Sequence, residues 1–153
     1  MEVEPAWIDY NGHMNVAHYV LLFDRCVDEA FLTLGLGPDY VAAREASFFT
    51  VEIHVTYLRE LHLGSPVEAT FQLLAFDEKR ARVYMELLHA DEGFVAATCE
   101  QLYLHVDMAS RRTAPFPQDI LAKLAAMRAA HAALPWPQRA GRAITLGEAQ
   151  PRA

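Results

Sequence analysis

Between Asn15 and Leu34 the apolar residues Tyr19, Leu22, Phe23, Cys26, Val27, Ala30 and Phe31 recur at intervals of three and four, and Asp24, Arg25, Asp28 and Glu29 confine charge to a narrower sector. That period is a helix of about five turns. Asn15 is a good cap at its start, and Gly35, Gly37 and Pro38 follow its end. A helix apolar over so much of its circumference must be covered on most sides, because exposed apolar surface costs about 25 cal/mol per Å². Something broad has to wrap it.

The wrapping is encoded downstream. From Phe48 to Leu61 the period changes to two, with Phe49, Val51, Ile53, Val55 and Tyr57 expected on one face and Thr50, Glu52, His54 and Thr56 on the other. Further strands are predicted over Val67–Phe76, Arg80–His89 and Phe94–Val106, joined by short turns around Gly64-Ser65-Pro66, Asp77-Glu78-Lys79 and Asp91-Glu92-Gly93. Loops this short favour an antiparallel meander over crossover connections, which need a dozen residues or more. A second helix is predicted from Pro117 to about Ala133, stopped by Pro135 and Pro137. The expected fold is therefore α+β: a long central helix wrapped by a curved antiparallel sheet, plus a C-terminal helix. One domain should span residues 1–134, with an irregular tail over 135–153 that is partly mobile unless Trp136 or Ile144 anchors it. Such a sheet ends in exposed edges, so a homodimer is expected.

At 153 residues one core suffices. The formal charge of −7 repels nucleic acid and anionic membrane, so neither is an expected partner, and a polyanionic ligand would need a local patch such as Lys79, Arg80 and Arg82 or Arg111 and Arg112. No run of 18 apolar residues is present, and the first ten residues carry acids and no Lys or Arg, unlike a signal peptide. Cys26 and Cys99 sit among apolar neighbours and read as buried thiols in a reducing compartment, which with the absent export signal leads to a cytoplasmic expectation.

The densest polar cluster, Trp7-Ile8-Asp9-Tyr10-Asn11-Gly12-His13-Met14-Asn15, lies directly before the buried helix. Asp9 and the first free N–H groups of that helix can therefore face one small space. That pairing suits acyl transfer: a carbonyl oxygen accepts from the N–H near Val16 while Asp9 attacks the carbon or activates water. The same residues equally suit Asp9 and Asn11 as turn formers ahead of a capped helix.

The run Asp9-Tyr10-Asn11-Gly12-His13-Met14-Asn15, followed by Tyr19, resembles the Asp-x-x-Gly-His-x-Asn motif of hotdog-fold acyl-CoA thioesterases of the 4-hydroxybenzoyl-CoA thioesterase-like group. Within it, Trp-Ile-Asp-Tyr-Asn-Gly-His-Met-Asn-Val-Ala looks closest to the betainyl-CoA thioesterases of carnitine breakdown. Thr56 to Leu61 and Glu100 to Asp107 are similar to later strands of that subgroup. The resemblance implies hydrolysis of an acyl-CoA at the boundary between two subunits, which can assemble as a dimer or a dimer of dimers. It implies Asp9 as the catalytic carboxylate, the backbone N–H of Val16 as the carbonyl's donor, and His13 and Asn15 in shaping the loop. Gly12 would allow close approach of a ligand to the backbone. Trp7, Tyr10, Phe48 and Phe49 are candidate faces for a quaternary ammonium acyl group, and Arg59, Arg111 and Arg112 for the phosphates. Coenzyme A is then part of the substrate, and no separate cofactor is expected. Asp24 or Asp28 is a substitute for Asp9, although Asp24 should lie about 12 Å beyond Val16 along the helix. Glu52 and Glu60 could orient water or bind a cationic acyl group. No metal is expected, since His13 and His18 lack a third ligand at a usable spacing. The alternatives are a hotdog hydratase, for which His13 or His18 would supplement Asp9, and a non-catalytic acyl-CoA-binding dimer.

Overall fold

A computed structural model describes residues 1–146. After a single 3-10 turn at Pro5–Trp7, the chain forms α1 (Val16–Thr33), α2 (Pro38–Arg44), β1 (Ala46–Tyr57), β2 (Val67–Phe76), β3 (Arg80–His89), β4 (Val95–Asp107), β5 (Arg112–Thr113) and α3 (Gln118–His131). The four long strands form an antiparallel sheet in the order β1-β4-β3-β2, and β5 adds to β4. α1 lies across the concave face and buries Tyr19, Leu22, Phe23, Val27 and Phe31. Phe31 is the hub at its far end: its ring meets Phe48, Phe71 and Tyr103 edge-on at 4.5, 5.9 and 5.2 Å.

α2 was not expected. Pro38 opens it and Glu45, in the left-handed region at φ 48°, closes it. Tyr40 on α2 buries its hydroxyl against His105 Nε2 at 2.8 Å, and His105 Nδ1 lies 2.9 Å from the Ala114 carbonyl. His105 is thus a structural group with both ring nitrogens engaged.

A β-bulge corrects the sequence reading of the first strand. The pairing of β1 with β4 shifts between Thr50 and Glu52, so Val51 is the extra residue. One inserted residue reverses the alternation beyond it. Phe48 and Thr50 pair with His105 and Tyr103 on the α1 side, as Ile53, Val55 and Tyr57 do with Gln101, Cys99 and Ala97. Phe49 pairs with Leu104 on the opposite side, with Arg111 over its ring at 5.9 Å. The strand also ends earlier than predicted. Beyond Tyr57 the amides of Leu58 and Arg59 both point at the Ala96 carbonyl, which stops the ladder and leaves 58–61 irregular.

The two sheet edges differ. β2 also bulges, between Leu73 and Ala75, and α3 covers its outer edge: Leu73 N–H donates to His131 Nδ1 at 2.9 Å and the Leu74 carbonyl accepts from Arg128 Nε at 2.7 Å. Along β1 no comparable cover exists among the described residues. α1 leans towards β2 and β3, so its exposed stripe of Val16, Val20, Asp24, Asp28 and Leu32 stays open beside Val51, Ile53 and Tyr57. Full coverage of the helix by its own chain, expected from its apolar circumference, is therefore not achieved. The segment after α3 lies on the outer sheet face, where Gln72 donates to the Pro135 carbonyl, Arg82 faces the Trp136 ring and Gly141 N–H donates to Glu100. Ile144 is exposed and anchors nothing, and residues 147–153 of the expected tail lie outside the described residues.

Candidate active site

The segment before α1 is a closed loop built on its own short-range chemistry. Ile8 and Met14 pair as an isolated bridge, Asp9 N–H donates to the His13 carbonyl at 3.1 Å, and Gly12 N–H returns to the Asp9 carbonyl at 3.0 Å. Gly12 has φ +84°, and a Cβ there would meet nothing within 4 Å. The left-handed backbone by itself favours glycine at this position. Two bonds clamp the loop to the rest of the fold: Met14 N–H to the Leu61 carbonyl at 2.8 Å and Asn15 N–H to the Trp7 carbonyl at 2.9 Å. Tyr19 reinforces the clamp, its hydroxyl accepting from Leu61 N–H at 3.3 Å. Burial pushes the Tyr19 phenol up, so it stays neutral.

Asp9 is half-buried, and its two oxygens have different partners. Oδ1 accepts from Asn11 N–H at 2.8 Å, the turn-forming role anticipated as the alternative. Oδ2 faces Asn15 Nδ2 at 3.5 Å, at the limit of a hydrogen bond. Asn15 is the N-cap of α1, and its Oδ1 accepts from Ala17 N–H at 3.0 Å. One amide side chain thus joins the carboxylate to the helix terminus. His18 N–H is satisfied by the Asn15 carbonyl at 3.0 Å, whereas Val16 N–H has no acceptor among the described residues, and its side chain is 57% exposed. The Asp9 carboxylate and the free N–H at the start of α1 are thus joined through the one Asn15 side chain.

The remaining candidates divide. His13 is half-buried, with Nε2 3.9 Å from Glu60, so Glu60 belongs to this neighbourhood. His62, which no spacing in the sequence singles out, reaches the Gly12 carbonyl with Nδ1 at 3.3 Å. Trp7 is buried and stacked on His18 with centroids 5.5 Å apart, which makes it scaffold with one face occupied. Tyr10 is 97% exposed at the loop tip. Phe48 and Phe49 lie at the opposite end of β1 from the loop, and only Phe48 is on the α1 side. Glu52 is on the outer face, lining a cavity with His54, Arg82 and Glu100. Arg59 lies over the Phe94 ring at 3.5 Å and 3.9 Å from Glu92. The proposed basic patch is neutralised locally, Lys79 by Glu78, Arg80 by Asp77 and Arg82 by Glu100. Cys26 is only half-buried; Cys99 is fully buried, and desolvation pushes its thiol up to about 12. Among the described residues no cluster of three His, Cys, Asp or Glu is placed to hold a metal ion.

An antiparallel sheet curled around one capped helix is the hotdog fold, which the chain shares with solved thioesterase structures. The chain belongs to the thioesterase-like superfamily, whose family model matches residues 3–124. It is 40% identical over 144 residues to the betainyl-CoA thioesterase of Pseudomonas aeruginosa, covering 94% of this chain and 91% of that protein. It is also 40% identical over 143 residues to the L-carnitine dehydrogenase/betainyl-CoA thioesterase of Rhizobium meliloti, of which it spans 29%. A Staphylococcus aureus protein solved in complex with CoA superposes with a TM-score of 0.90 at 28% identity, covering 95% of this chain and 92% of that one.

Proposed function

We propose that this chain hydrolyses betainyl-CoA to betaine and coenzyme A, with the thioester held between Asp9 and the start of α1. The observation that carries the reading is the bridge made by Asn15, which ties Asp9 Oδ2 and the first turn of α1 to one side chain. In the reaction the thioester oxygen accepts from Val16 N–H as negative charge develops on it. Asp9 Oδ2 either takes a proton from the attacking water or forms an anhydride that water then opens; in both routes the C–S bond breaks and the departing sulfur ends as a thiol. His13 and Asn15 hold the loop. Coenzyme A enters as part of the substrate, and no further cofactor is invoked.

The working unit is a homodimer in the cytoplasm, alone or paired as a tetramer. The unpaired β1 edge supports it, because Val51, Ile53 and Tyr57 are 49, 42 and 46% exposed there beside the open stripe of α1. Two free cysteines are compatible with a reducing compartment.

The test is Asp9→Asn. It should keep the oligomer and the circular dichroism spectrum and lower kcat on betainyl-CoA by at least about a hundredfold, the lower range for a positioned acid-base group. A fully active variant would remove Asp9 from the chemistry.

A further inference from the structure

The segment after α3 passes over the outer face of the sheet and leaves a cavity of about 540 Å³ beneath it. Val83, Met85 and Leu87 of β3 belong to the core under α1, so Tyr84 and Glu86 between them point to the other face. Tyr84 and Thr98 are nonetheless only 4% exposed each, because residues 134–139 close over them. Leu58, Val95, Leu134 and Trp136 give the cavity apolar walls. Space of this size, apolar with a few polar groups turned inward, is what a small molecule needs to be held.

Glu86 and Arg139 carry the only charges in the lining among the described residues. Both are half-buried, and neither has an ion pair or a side-chain hydrogen bond among the described residues. Yet both act on one phenol. Burial first pushes the Tyr84 hydroxyl up, the Thr98 side chain lowers it, Glu86 raises it and Arg139 lowers it again. Two opposite charges thus stand around Tyr84 without joining each other. Charges drawn partly out of water and left unpaired are costly, and a ligand bearing one charge of each sign would complete both.

The lining also selects the kind of cation. A primary ammonium needs acceptors for three N–H groups, whereas Glu86 is the one carboxylate here, and the Tyr84 and Trp136 rings attract a cation without hydrogen bonds. Trp136 meets Arg82 at 5.8 Å, but Glu100 neutralises that guanidinium, and the indole remains 55% exposed. The anionic end falls to Arg139, whose planar fork matches a carboxylate bidentately.

We propose that this outer-face cavity binds a small zwitterion in which a quaternary ammonium is joined to a carboxylate, with Glu86 and the two aromatic rings on the ammonium and Arg139 on the carboxylate. Betaine, the product of the hydrolysis proposed above, belongs to this class, but the site stands whether or not Asp9 cleaves a thioester. It lies across the sheet from α1, so its ligand does not compete directly with a thioester held at the start of that helix.

The experiment titrates the full chain with betaine by isothermal calorimetry and by tryptophan fluorescence. Of the two tryptophans, Trp136 lines the cavity and Trp7 does not. Betaine should bind and change the fluorescence. Glycine, which has a primary ammonium, 3,3-dimethylbutyrate, which lacks the positive charge, and tetramethylammonium, which lacks the carboxylate, should each bind at least about tenfold more weakly. Glu86→Gln and Arg139→Gln should each weaken betaine at least about tenfold with an unchanged circular dichroism spectrum, and Trp136→Phe should abolish the fluorescence change. Absence of betaine binding, equal affinity for glycine, full-strength binding in both charge variants, or a fluorescence change that persists in Trp136→Phe overturns the site.

Discussion

Asn15 performs two tasks that one pair of substitutions can separate. Asn15→Ala removes both the bond to Ala17 N–H and the amide facing Asp9. Loss of an N-cap costs about 1 kcal/mol, which in a domain of this size lowers Tm by roughly 2–4 °C. Asn15→Asp keeps the cap, since aspartate accepts from the same N–H and faces the positive end of the helix. It instead sets a second carboxylate 3.5 Å from Asp9 Oδ2. Two like charges at that spacing repel by about 1 kcal/mol in water and about 5 kcal/mol at an effective dielectric of 20. At about 1.4 kcal/mol per pKa unit, the pair should release its second proton about one to three units higher than an isolated carboxylate. The assay is kcat/KM for thioester cleavage, followed by release of free thiol from pH 4 to 9, together with thermal melting. Asn15→Asp keeps the cap, so it should melt near wild type at pH 4 where the pair shares a proton, and lose Tm as pH rises and both carboxylates ionise, by roughly 2–4 °C for each kcal/mol of repulsion. Its acid limb should nevertheless move upward by at least one unit. A variant with an unshifted pH profile and full activity would show that Asn15 does not touch the reacting carboxylate.

Gly12→Ala should fold to the same structure, because no atom obstructs its Cβ, yet lose about 1–2 kcal/mol for a side chain at φ +84°; chemical denaturation measures the loss, and an unchanged midpoint would contradict it. His131 accepts from Leu73 N–H and is held below its ordinary value of 6.5, by burial first and Arg128 second. The unfolded chain therefore takes up the proton first, so the stability His131 contributes is complete above about pH 6.5 and is lost as pH falls through its depressed folded value. Wild-type Tm should drop more than that of His131→Gln between pH 7 and pH 5, and parallel curves would refute the assignment. Cys99, with its thiol near 12 and fully buried, should resist iodoacetamide in the native state and react after unfolding, as peptide mass mapping would reveal.

Much of the fold is legible in the sequence because it rests on local rules. The 3.6-residue period of Tyr19 to Phe31 demanded a covered helix, the strands between short turns demanded a meander, and Asn15 before Val16 specified where the helix begins and which donors it leaves free. The bonds that Asp9 makes with Asn11, Gly12, His13 and Asn15 belong to the same class, since they span at most six residues, whereas the clamp of Met14 N–H on the Leu61 carbonyl does not.

What the tertiary structure alone decides depends on register and on contacts distant in sequence. A period-two pattern cannot reveal a single inserted residue, so the bulge at Val51 sends Phe49 to the face opposite the one its spacing suggested and brings Phe48 to α1. The seven-residue α2 is too short to show a periodicity, yet it helps wall a cavity lined by Asp24, Asp28 and Glu29 and fixes His105 through Tyr40. Nor does spacing show that β2 is covered by α3 while β1 is left open, since that asymmetry arises from where α3 lands after the chain has closed. Local chemistry shapes the Asp9 loop and its helix cap; packing between distant segments decides which sheet edge is covered and which is left open.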